Sequence, residues 1–434
     1  MNIKDFDFDV IIVGARPSGA SLSIHLARNG FSVLLVDKDD LSSSSPVSCP
    51  IIFANTMKLL DDLEVDESDY AYNTPKITSF VVGVKDYFNV AYKSPLYLGR
   101  KYAYCIDRKR FDIALLNTVQ KQANVSLLTN FKVTGVMRNG DVVSGITGRD
   151  SRGEVRQFTA RCVVGADGRF STVAELVGSP VVEEWKHISS SILYSYWQDV
   201  APHDNGEPLV QFYVPRSGLL YMLLDSADNT TGVIIHGRQK YVYGKRKAAD
   251  SYYGQLKEAE VIWKRLRHAK PVDKLKGIRK LNNTYRKAGG PGWFLTGDAL
   301  HHRDTLDAQG IYEALLSSKL LSDAISLLLK EGRPWNEVVH WYEQTVHMIT
   351  KPMCKATLKR LVWQHRIPWP GWFINTIIQW IFCDPEYKER FMRLHVRDIE
   401  PEKWIDTRLI IKTLWSGLQS DILRRKTENT QQGI

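Results

Sequence analysis

The sequence predicts an α/β fold with three parts: a parallel βαβ domain, an inserted antiparallel sheet and a helical C-terminal region. Residues 9–37 contain two continuously apolar segments around an amphipathic one, which is typical of buried strands flanking a helix. Residues 190–237 hold short strand-like segments rich in aromatic side chains. Helical spacing predominates from Pro334 onward. A chain of 434 residues is long enough for two domains.

The first part carries a phosphate-binding turn between its first strand and its helix. The turn reads Gly14-Ala15-Arg16-Pro17-Ser18-Gly19, which is G-x-G-x-x-G with arginine in place of the middle glycine. Backbone N–H groups at such a turn can bind a pyrophosphate at the helix N-terminus. The second strand ends at Asp37, where this pattern places an acceptor for a ribose hydroxyl, and Lys38 follows it. The turn therefore predicts a dinucleotide-binding, Rossmann-like domain.

Two further motifs follow later in the chain. Asp167 and Gly168 follow an apolar segment, and residues 295–311 contain Gly297 and Asp298 after another. In this order, the three motifs resemble the fingerprints of FAD-dependent aromatic-hydroxylase-type enzymes, the class A flavoprotein monooxygenases. The resemblance is greatest to a bacterial branch with Gly-Ala-Arg at the first turn. It covers about residues 8–330 and implies an FAD-binding domain.

The resemblance implies a set of FAD contacts. They are Gly14, Ala15, Arg16, Pro17, Ser18, Gly19, Asp37, Lys38, Arg108, Val133, Asp167, Asp298, Gln309, Gly310 and Ile311. Asp298 follows a predicted strand, where its carboxylate can accept a ribityl hydroxyl. The helix entered at residues 304–311 would stabilise negative charge on the reduced flavin. Arg16 would either crowd the cofactor or neutralise its phosphates, and we favour the second.

The activity implied by the resemblance is oxygenation. NADH or NADPH binds transiently and reduces FAD, and oxygen then forms a flavin C4a-hydroperoxide that hydroxylates or epoxidises an apolar or aromatic molecule. His301 and His302 are candidate catalytic residues because a histidine exchanges protons near neutral pH. The alternative is that they are loop histidines without a chemical role. Thr305 and Asp307 depart from the proline and small residue usual in the family.

Candidate substrate contacts come from two regions. Cys49 lies where relatives carry histidine, in the loop that approaches the flavin, although a small buried apolar residue is the other interpretation. The candidate strands also carry alternating tyrosines, which would either wall an aromatic pocket or form an ordinary sheet core. They are Tyr194, Tyr196, Tyr213 and Tyr221.

These assignments predict a discontinuous domain organisation. The FAD-binding domain comprises residues 1–75, 100–183 and 286–330, the substrate-binding sheet comprises residues 76–99 and 184–285, and residues 331–434 form the helical C-terminal region. Within the first domain, three antiparallel strands are predicted, with a hairpin turn at residues 138–141. They span residues 125–136, 142–148 and 156–164. Residues 42–48 are predicted as a loop.

Three alternative functions remain open. A flavin-dependent reductase of isoprenoid double bonds shares the fold, and residues 310–314 resemble that family. A flavin-dependent halogenase is disfavoured because its W-x-W-x-I-P signature is absent. A degenerate FAD-binding protein that acts through partners is suggested by the departures at Arg16 and Thr305.

Composition limits the partners and the location. The net charge of +10 favours anionic partners, but the basic residues are scattered, with the nearest approach to a cluster at residues 424–426, so no nucleic-acid partner is predicted. Five widely spaced cysteines without a C-x-x-C pair predict no metal site and a reducing compartment. The N-terminus lacks the apolar core of a signal peptide, so we expect a cytoplasmic monomer or homodimer.

The C-terminal region contains a segment of unusual composition. Residues 363–382 hold four tryptophans and two prolines. We expect this segment to pack over the substrate domain as a lid, and a peripheral membrane contact is the alternative.

Overall fold

The structure, a computed structural model, describes residues 6–41, 49–204 and 206–431, with side chains up to residue 421. The predicted loop at residues 42–48 and the side chains of residues 424–426 lie outside this part. The chain divides into two units, each built from three segments. Unit 1 contains Met1–Thr74, Ile106–Ser189 and Leu281–Cys354, and unit 2 contains Pro75–Cys105, Ser190–Lys280 and Lys355–Ile434. Residues 331–354 therefore group with unit 1 rather than with a separate C-terminal region.

Unit 1 is built on a mainly parallel sheet. Its strand order is Gly289–Gly290, Trp293–Leu295, Val155–Gly165, Phe8–Val13, Val33–Val36 and Val125–Leu128. Ile12 lies between Val164 and Leu35 in register. Residues 10–12 are fully buried, as expected for a parallel strand covered on both faces. The predicted α/β fold is confirmed.

One predicted strand has a different partner. Residues 125–136 were expected to form one antiparallel strand, but Val125–Leu128 pairs in parallel with Val33–Val36. It does so because helix Arg108–Gln120 makes the crossover that a parallel connection requires. The remaining strands, Lys132–Asn139, Val142–Arg149 and the first part of Val155–Gly165, are antiparallel as predicted.

The helices of unit 1 cover the sheet and are joined by hydroxyl groups. The Ser318 hydroxyl donates to the Ser18 carbonyl at 2.7 Å and lies 3.0 Å from the Ser18 hydroxyl. This pair connects helix Pro17–Arg28 to helix Gly310–Leu329. The other α-helices of the unit are Ala54–Asp62, Glu67–Tyr70, Arg108–Gln120, Thr172–Leu176 and the first part of Trp335–Gln364, with 3-10 turns at Gly297–Ala299 and Thr305–Asp307. Its remaining strands are Ile51–Ile52, Val181–Glu184, Thr284–Arg286 and His301–His302.

Unit 2 contains a second, mixed sheet. Its strand order is Lys270–Pro271, Ser190–Gln198, Thr230–Gly237, Leu219–Asp225, Leu209–Val214, Ser79–Val84 and Phe88–Lys93, and Lys276–Leu281 pairs beside Ser190–Gln198. The predicted sheet is antiparallel except at one joint, where Leu209–Val214 runs parallel to Ser79–Val84. Another short strand is Tyr104–Cys105. The helices of this region are Ala227–Asn229, a 3-10 turn, and Gln239–Val242, Ala248–Glu258 and Glu260–Leu266.

The C-terminal part of unit 2 is helical, as predicted. After the long helix come Trp372–Cys383, Pro385–His395 and Thr407–Gln431. Helix Thr407–Gln431 packs closely against helix Trp372–Cys383. A Cβ added at Gly417 would lie 2.2 Å from the Trp380 ring, so glycine permits this approach. Across the residues described, no helix combines the length and apolar character needed to cross a membrane.

Replacing Gly19 by alanine tests how tightly the phosphate-binding turn packs. An added Cβ would lie 1.7 Å from the Gly14 carbonyl oxygen, whereas the same atom at Gly30 meets nothing within 4 Å. Gly30 has a φ of 81°, so Gly30→Ala carries only backbone strain of about 1 kcal/mol. We expect Gly19→Ala to lower the free energy of unfolding by roughly 3 kcal/mol or more. Urea denaturation followed by circular dichroism measures both losses, and equal losses would contradict the close approach.

Candidate functional site

The three sequence motifs meet at the N-terminus of helix Pro17–Arg28 in unit 1. Gly14 has a φ of 104°, and a Cβ there would lie 2.5 Å from the carbonyl oxygen of Ala166, just before the Asp-Gly motif. A Cβ at Gly297 would lie 2.8 Å from the hydroxyl of Ser18. Backbone therefore touches backbone or a small side chain at both junctions. The glycines are required by this convergence as well as by any ligand.

The helix that begins at this junction is open to an anion. Arg16 is its N-cap in extended conformation, with a φ of −84°, and its side chain makes no capping hydrogen bond. Pro17 occupies the first turn, which contains no acidic residue. Within the described residues, the first N–H groups of the helix thus lack a side-chain acceptor and carry the positive end of the helix dipole.

A buried carboxylate beside this turn joins two arginines. The Arg16 guanidinium donates to one oxygen of Asp112 at 2.8 Å, and the Arg108 guanidinium donates to the other at 3.1 Å. Arg16 also lies 3.7 Å from Asp39. Sequence reasoning missed Asp112, although its spacing of four from Arg108 on a helix was a usable signal. The phosphate role of Arg16 stays a prediction, with its guanidinium anchored by Asp112.

The pair of arginines provides a test of whether the residues fit FAD. Arg108 is largely buried, and its Nε atom has no hydrogen-bond partner among the described residues. A buried guanidinium donor without a partner is costly unless a ligand satisfies it. Together with the uncapped helix and the glycine turn, this donor fits a diphosphate. The residues that would hold the phosphates are thus the turn and Arg108.

The acid at the end of the second strand orders the turn. The Asp37 carboxylate is buried and accepts the Ala15 N–H at 2.7 Å and the Asp39 N–H at 2.9 Å. A carboxylate has further lone pairs, so the predicted ribose contact is compatible with these bonds and stays a prediction. Lys38 beside it is exposed, and Val133 is buried in strand Lys132–Asn139.

The two other motif acids differ in exposure. Asp167 accepts the Ser171 hydroxyl at 2.5 Å and the Val173 N–H at 3.1 Å, and burial raises its pKa. Its carboxylate therefore orders helix Thr172–Leu176. Asp298 is exposed after strand Trp293–Leu295, as the prediction of a ribityl contact requires. Burial lowers the pKa of the neighbouring Arg169, and the Asp298 carboxylate offsets part of that shift.

The histidines of the third motif are both buried but have different surroundings. The Nε2 atom of His301 lies 3.1 Å from a Glu313 oxygen, which the Arg303 guanidinium also contacts at 3.0 Å. The Tyr285 ring stacks on the His301 ring, with 5.1 Å between centroids. His301 is thereby held in a buried ionic cluster. A chemical role for it stays a prediction.

His302 is held in one tautomer. Its Nδ1 atom lies 2.7 Å from the Asn282 carbonyl oxygen, which can only accept, so Nδ1 carries the proton. Burial lowers the pKa of His302 below its ordinary value. At neutral pH the imidazole is therefore neutral, with Nε2 as a hydrogen-bond acceptor.

The departures in the third motif are compensated within it. Asp307, where the family usually has a small residue, is buried 4.0 Å from the guanidinium of Arg303. Asp304 accepts the Leu306 N–H at 3.0 Å and thereby starts the turn that Thr305 enters without proline. Arg303 was missed by sequence reasoning, because it precedes a 3-10 turn and its approach to Asp307 does not follow from α-helical spacing.

The predicted FAD contacts that follow this turn lie at the start of a long helix. Helix Gly310–Leu329 begins with Gln309 as its N-cap, without a side-chain capping hydrogen bond. Gly310 has open space where a Cβ would be, and Ile311 is buried. The predicted uncapped helix N-terminus is present, and its contact with flavin stays a prediction.

Cys49 is the predicted substrate residue that lies in unit 1. Its side chain is partly buried, and burial raises the pKa of its thiol to about 11. The carboxylate of Asp307 acts in the same direction. The thiol is therefore protonated at neutral pH.

The four predicted substrate tyrosines do not wall one pocket. In register, Tyr213 pairs with Tyr221, and Tyr221 pairs with Ile235. This face packs on helices Ala248–Glu258 and Glu260–Leu266. Tyr194 pairs instead with Ile234, on the opposite face, and Tyr196 is two residues along on the same strand face. The interpretation as a shared aromatic wall is wrong, because one residue of register changes the face. The other interpretation, an ordinary sheet core, holds for Tyr213 and Tyr221, which belong to the buried cluster on the face covered by the two helices. Among the described residues, no cluster suited to a metal ion occurs.

Comparison with known proteins agrees with this geometry. The family model described as the FAD binding domain matches residues 7–356. Digeranylgeranylglycerophospholipid reductase of Methanococcus aeolicus is 24% identical over 332 residues, which cover 74% of this chain and 78% of that protein.

Solved structures show the same fold. The flavin-dependent brominase Bmp2 has a TM-score of 0.77 at 15% identity, covering 95% of this chain and 99% of that one. PqsL of Pseudomonas aeruginosa, a probable FAD-dependent monooxygenase, has a TM-score of 0.64 at 17% identity, covering 82% and 96%. At these identities the likeness shows the fold alone.

Arg108→Lys tests the proposed phosphate donor. Lysine keeps the charge but lacks the Nε donor, so we expect FAD affinity to fall roughly ten- to a hundredfold, as for a charged hydrogen bond. Arg110→Lys is the matched control, because the Arg110 guanidinium is already bound to the Tyr72 carbonyl at 2.9 Å. Flavin fluorescence titration gives both affinities. Equal affinities for the two variants would exclude Arg108 from the phosphate site.

His302→Asn tests the burial of the neutral imidazole. Because the folded pKa lies below the ordinary 6.5, the unfolded chain binds the extra proton first as pH falls. The free energy of unfolding is therefore independent of His302 protonation above about pH 6.5. Below this pH it falls, by at most about 1.4 kcal/mol per pH unit, because the unfolded chain takes up the proton. The variant should flatten the stability profile in that window. Urea unfolding at several pH values measures it, with the exposed His340→Asn as control, and an unchanged slope would contradict the assignment.

Proposed function

The chain belongs to the FAD binding domain family of FAD-dependent oxidoreductases, and on this premise we propose that it reduces carbon–carbon double bonds of an isoprenoid lipid. The observation that carries this proposal is the similarity to the archaeal digeranylgeranylglycerophospholipid reductase across about three quarters of the chain. Residues 310–314, which resemble the isoprenoid reductases, begin the helix that supplies Glu313 to the buried cluster.

The sheet of unit 2 supports an apolar substrate. One residue from each of five adjacent strands lies in direct register on the same face. From one side to the other they are Tyr194, Ile234, Met222, Phe212 and Val82. This row contains no charged side chain, and Tyr194, Ile234 and Met222 in it are buried. We propose it as the apolar wall of the substrate site because of this composition.

The reduction needs a hydride, a proton and a place to hold both reactants. When bound, reduced FAD supplies the hydride, and NADH or NADPH is the proposed source of its electrons. The turn at residues 14–19 and Arg108 would hold the phosphates, and Asp298 would accept a ribityl hydroxyl. The hydride forms one new C–H bond, and a proton from the chain forms the other.

The chain offers a proton at the sulfur of Cys49. Its thiol keeps the proton at neutral pH, since burial raises its pKa to about 11. His302 cannot serve equally well, because burial lowers its pKa and leaves Nε2 without a proton. Because a raised pKa also makes the thiol a weaker acid, the proposal rests on the position of Cys49 in the loop that the family resemblance places beside the flavin. We propose that this thiol donates the proton and takes one back from solvent after each turnover.

Hydroxylation or epoxidation with NAD(P)H and O₂ is the second candidate function. The order of the three motifs favours it, since it resembles that of the class A monooxygenases. A degenerate flavoprotein is the least supported alternative, because Asp112 and Asp304 accommodate the departures at Arg16 and Thr305.

An anaerobic single-turnover experiment tests the reductase. FAD-loaded protein is reduced with dithionite and mixed with a geranylgeranyl phospholipid in the absence of oxygen. We expect the flavin absorbance of the oxidised state to return and the lipid to gain two hydrogens per double bond. Conversion that requires oxygen, with an oxygen atom in the product, would replace this proposal by the second candidate.

The same experiment with two cysteine variants tests the proton donor. Cys49→Ala should slow flavin reoxidation by roughly a hundredfold, the usual contribution of a general acid, while FAD affinity is retained. Cys383→Ala is the control because its thiol is exposed. Equal rates for the two variants would remove Cys49 from the mechanism while leaving the reduction itself intact.

A further inference from the structure

The helical part of unit 2 exposes large apolar side chains in a small region. Trp372, Phe373 and Ile374 open helix Trp372–Cys383 and are 70%, 59% and 41% exposed. The final helix, which packs against this one at Gly417, adds Ile411 and Trp415 at 62% and 64%. Together with Trp363, which is 58% exposed, these six residues are called the aromatic surface. A cluster of this kind on a folded domain indicates a binding partner.

The exposure of Trp372 and Phe373 follows from the turn that precedes their helix, which Asn375 holds in place. Asn375 is buried, and its amide nitrogen donates to the carbonyl oxygens of Trp369 and Gly371 at 2.7 Å each. Its amide oxygen accepts the Trp369 N–H at 2.9 Å. These three bonds fix the turn before the helix, so that Trp372 and Phe373 project from a rigid first turn.

The other side of the same helix is already occupied. Ile378 is buried, and the Trp380 ring lies against Gly417 of the final helix. The exposed residues are therefore those left over after the helix has packed, and packing within unit 2 does not account for them. Water contact with three consecutive large apolar side chains is unfavourable, so a partner that covers them gains hydrophobic free energy.

The charges around the aromatic surface select the partner. The segments that carry the aromatic surface are basic, since residues 355–383 contain four basic and no acidic residues and residues 407–420 contain two basic and no acidic residues. The stretch between them, residues 384–406, holds seven acidic and five basic residues. In the two basic segments, Lys355, Lys359, Arg366 and Arg408 are exposed. A second copy of the chain would place these charges against like charges, which is unfavourable. An anionic partner is favoured instead.

We propose that the aromatic surface docks on a bilayer that contains anionic lipid. Tryptophan rings prefer the boundary between headgroups and acyl chains, and phenylalanine and isoleucine enter the apolar side of it. The exposed basic residues then face anionic headgroups. This docking does not depend on the proposed reaction, since it involves no cofactor and no residue assigned to FAD.

Vesicle sedimentation of the full-length, FAD-loaded protein tests the docking. Vesicles of phosphatidylcholine alone are compared with vesicles that also contain phosphatidylglycerol. We expect the parent protein to bind the anionic vesicles more tightly, with an affinity that falls as salt rises. The double variant Trp372→Ser, Phe373→Ser should bind them roughly tenfold or more weakly. Met348→Ser is the matched control, because Met348 is 70% exposed on unit 1.

A charge variant and a solution measurement complete the test. Lys359→Glu, Arg366→Glu should lose binding to anionic vesicles only, and FAD content and circular dichroism verify that each variant is folded. Equal vesicle binding by parent and double variant would overturn the proposal. A parent dimer in light scattering that the double variant converts to a monomer would overturn it in favour of self-association.

Discussion

The close approach of Gly14 to the backbone of Ala166 is the constraint on which the rest of unit 1 depends. A side chain at Gly14 would place Cβ 2.5 Å from the Ala166 carbonyl, so only glycine lets the first strand end against the second motif. A similarly close approach occurs between Gly297 and the side chain of Ser18. Three motifs separated widely in sequence thereby reach one helix N-terminus, which is where a diphosphate is predicted to bind.

Charge compensation accounts for the residues that depart from the family pattern. Arg16 replaces a glycine, yet the carboxylate of Asp112 binds its guanidinium together with that of Arg108. Asp307 replaces a small residue, yet Arg303 lies beside it. A buried charge is tolerated only with a partner. Arg16 is therefore stabilised by Asp112, and Asp307 by Arg303.

Unit 2 contributes apolar surface rather than titratable chemistry. Its sheet carries an uncharged row on one face, and its terminal helices carry the aromatic surface among basic residues. Both features suit a molecule with a long hydrocarbon part and an anionic environment. A lipid substrate and a lipid surface would therefore make similar physical demands on this unit, although each is supported by separate residues.

The sequence alone determined the parallel core, the FAD family and the position of each motif, because glycine spacing and apolar runs are local properties. Its errors were non-local: Val125–Leu128 joined the parallel sheet, and Tyr194 and Tyr213 took opposite faces. Strand partners and faces depend on register between distant segments, which local periodicity does not encode. Only the tertiary structure brought Asp112 between two arginines and left Trp372 exposed, because burial is decided by what packs against a side chain after the chain has folded.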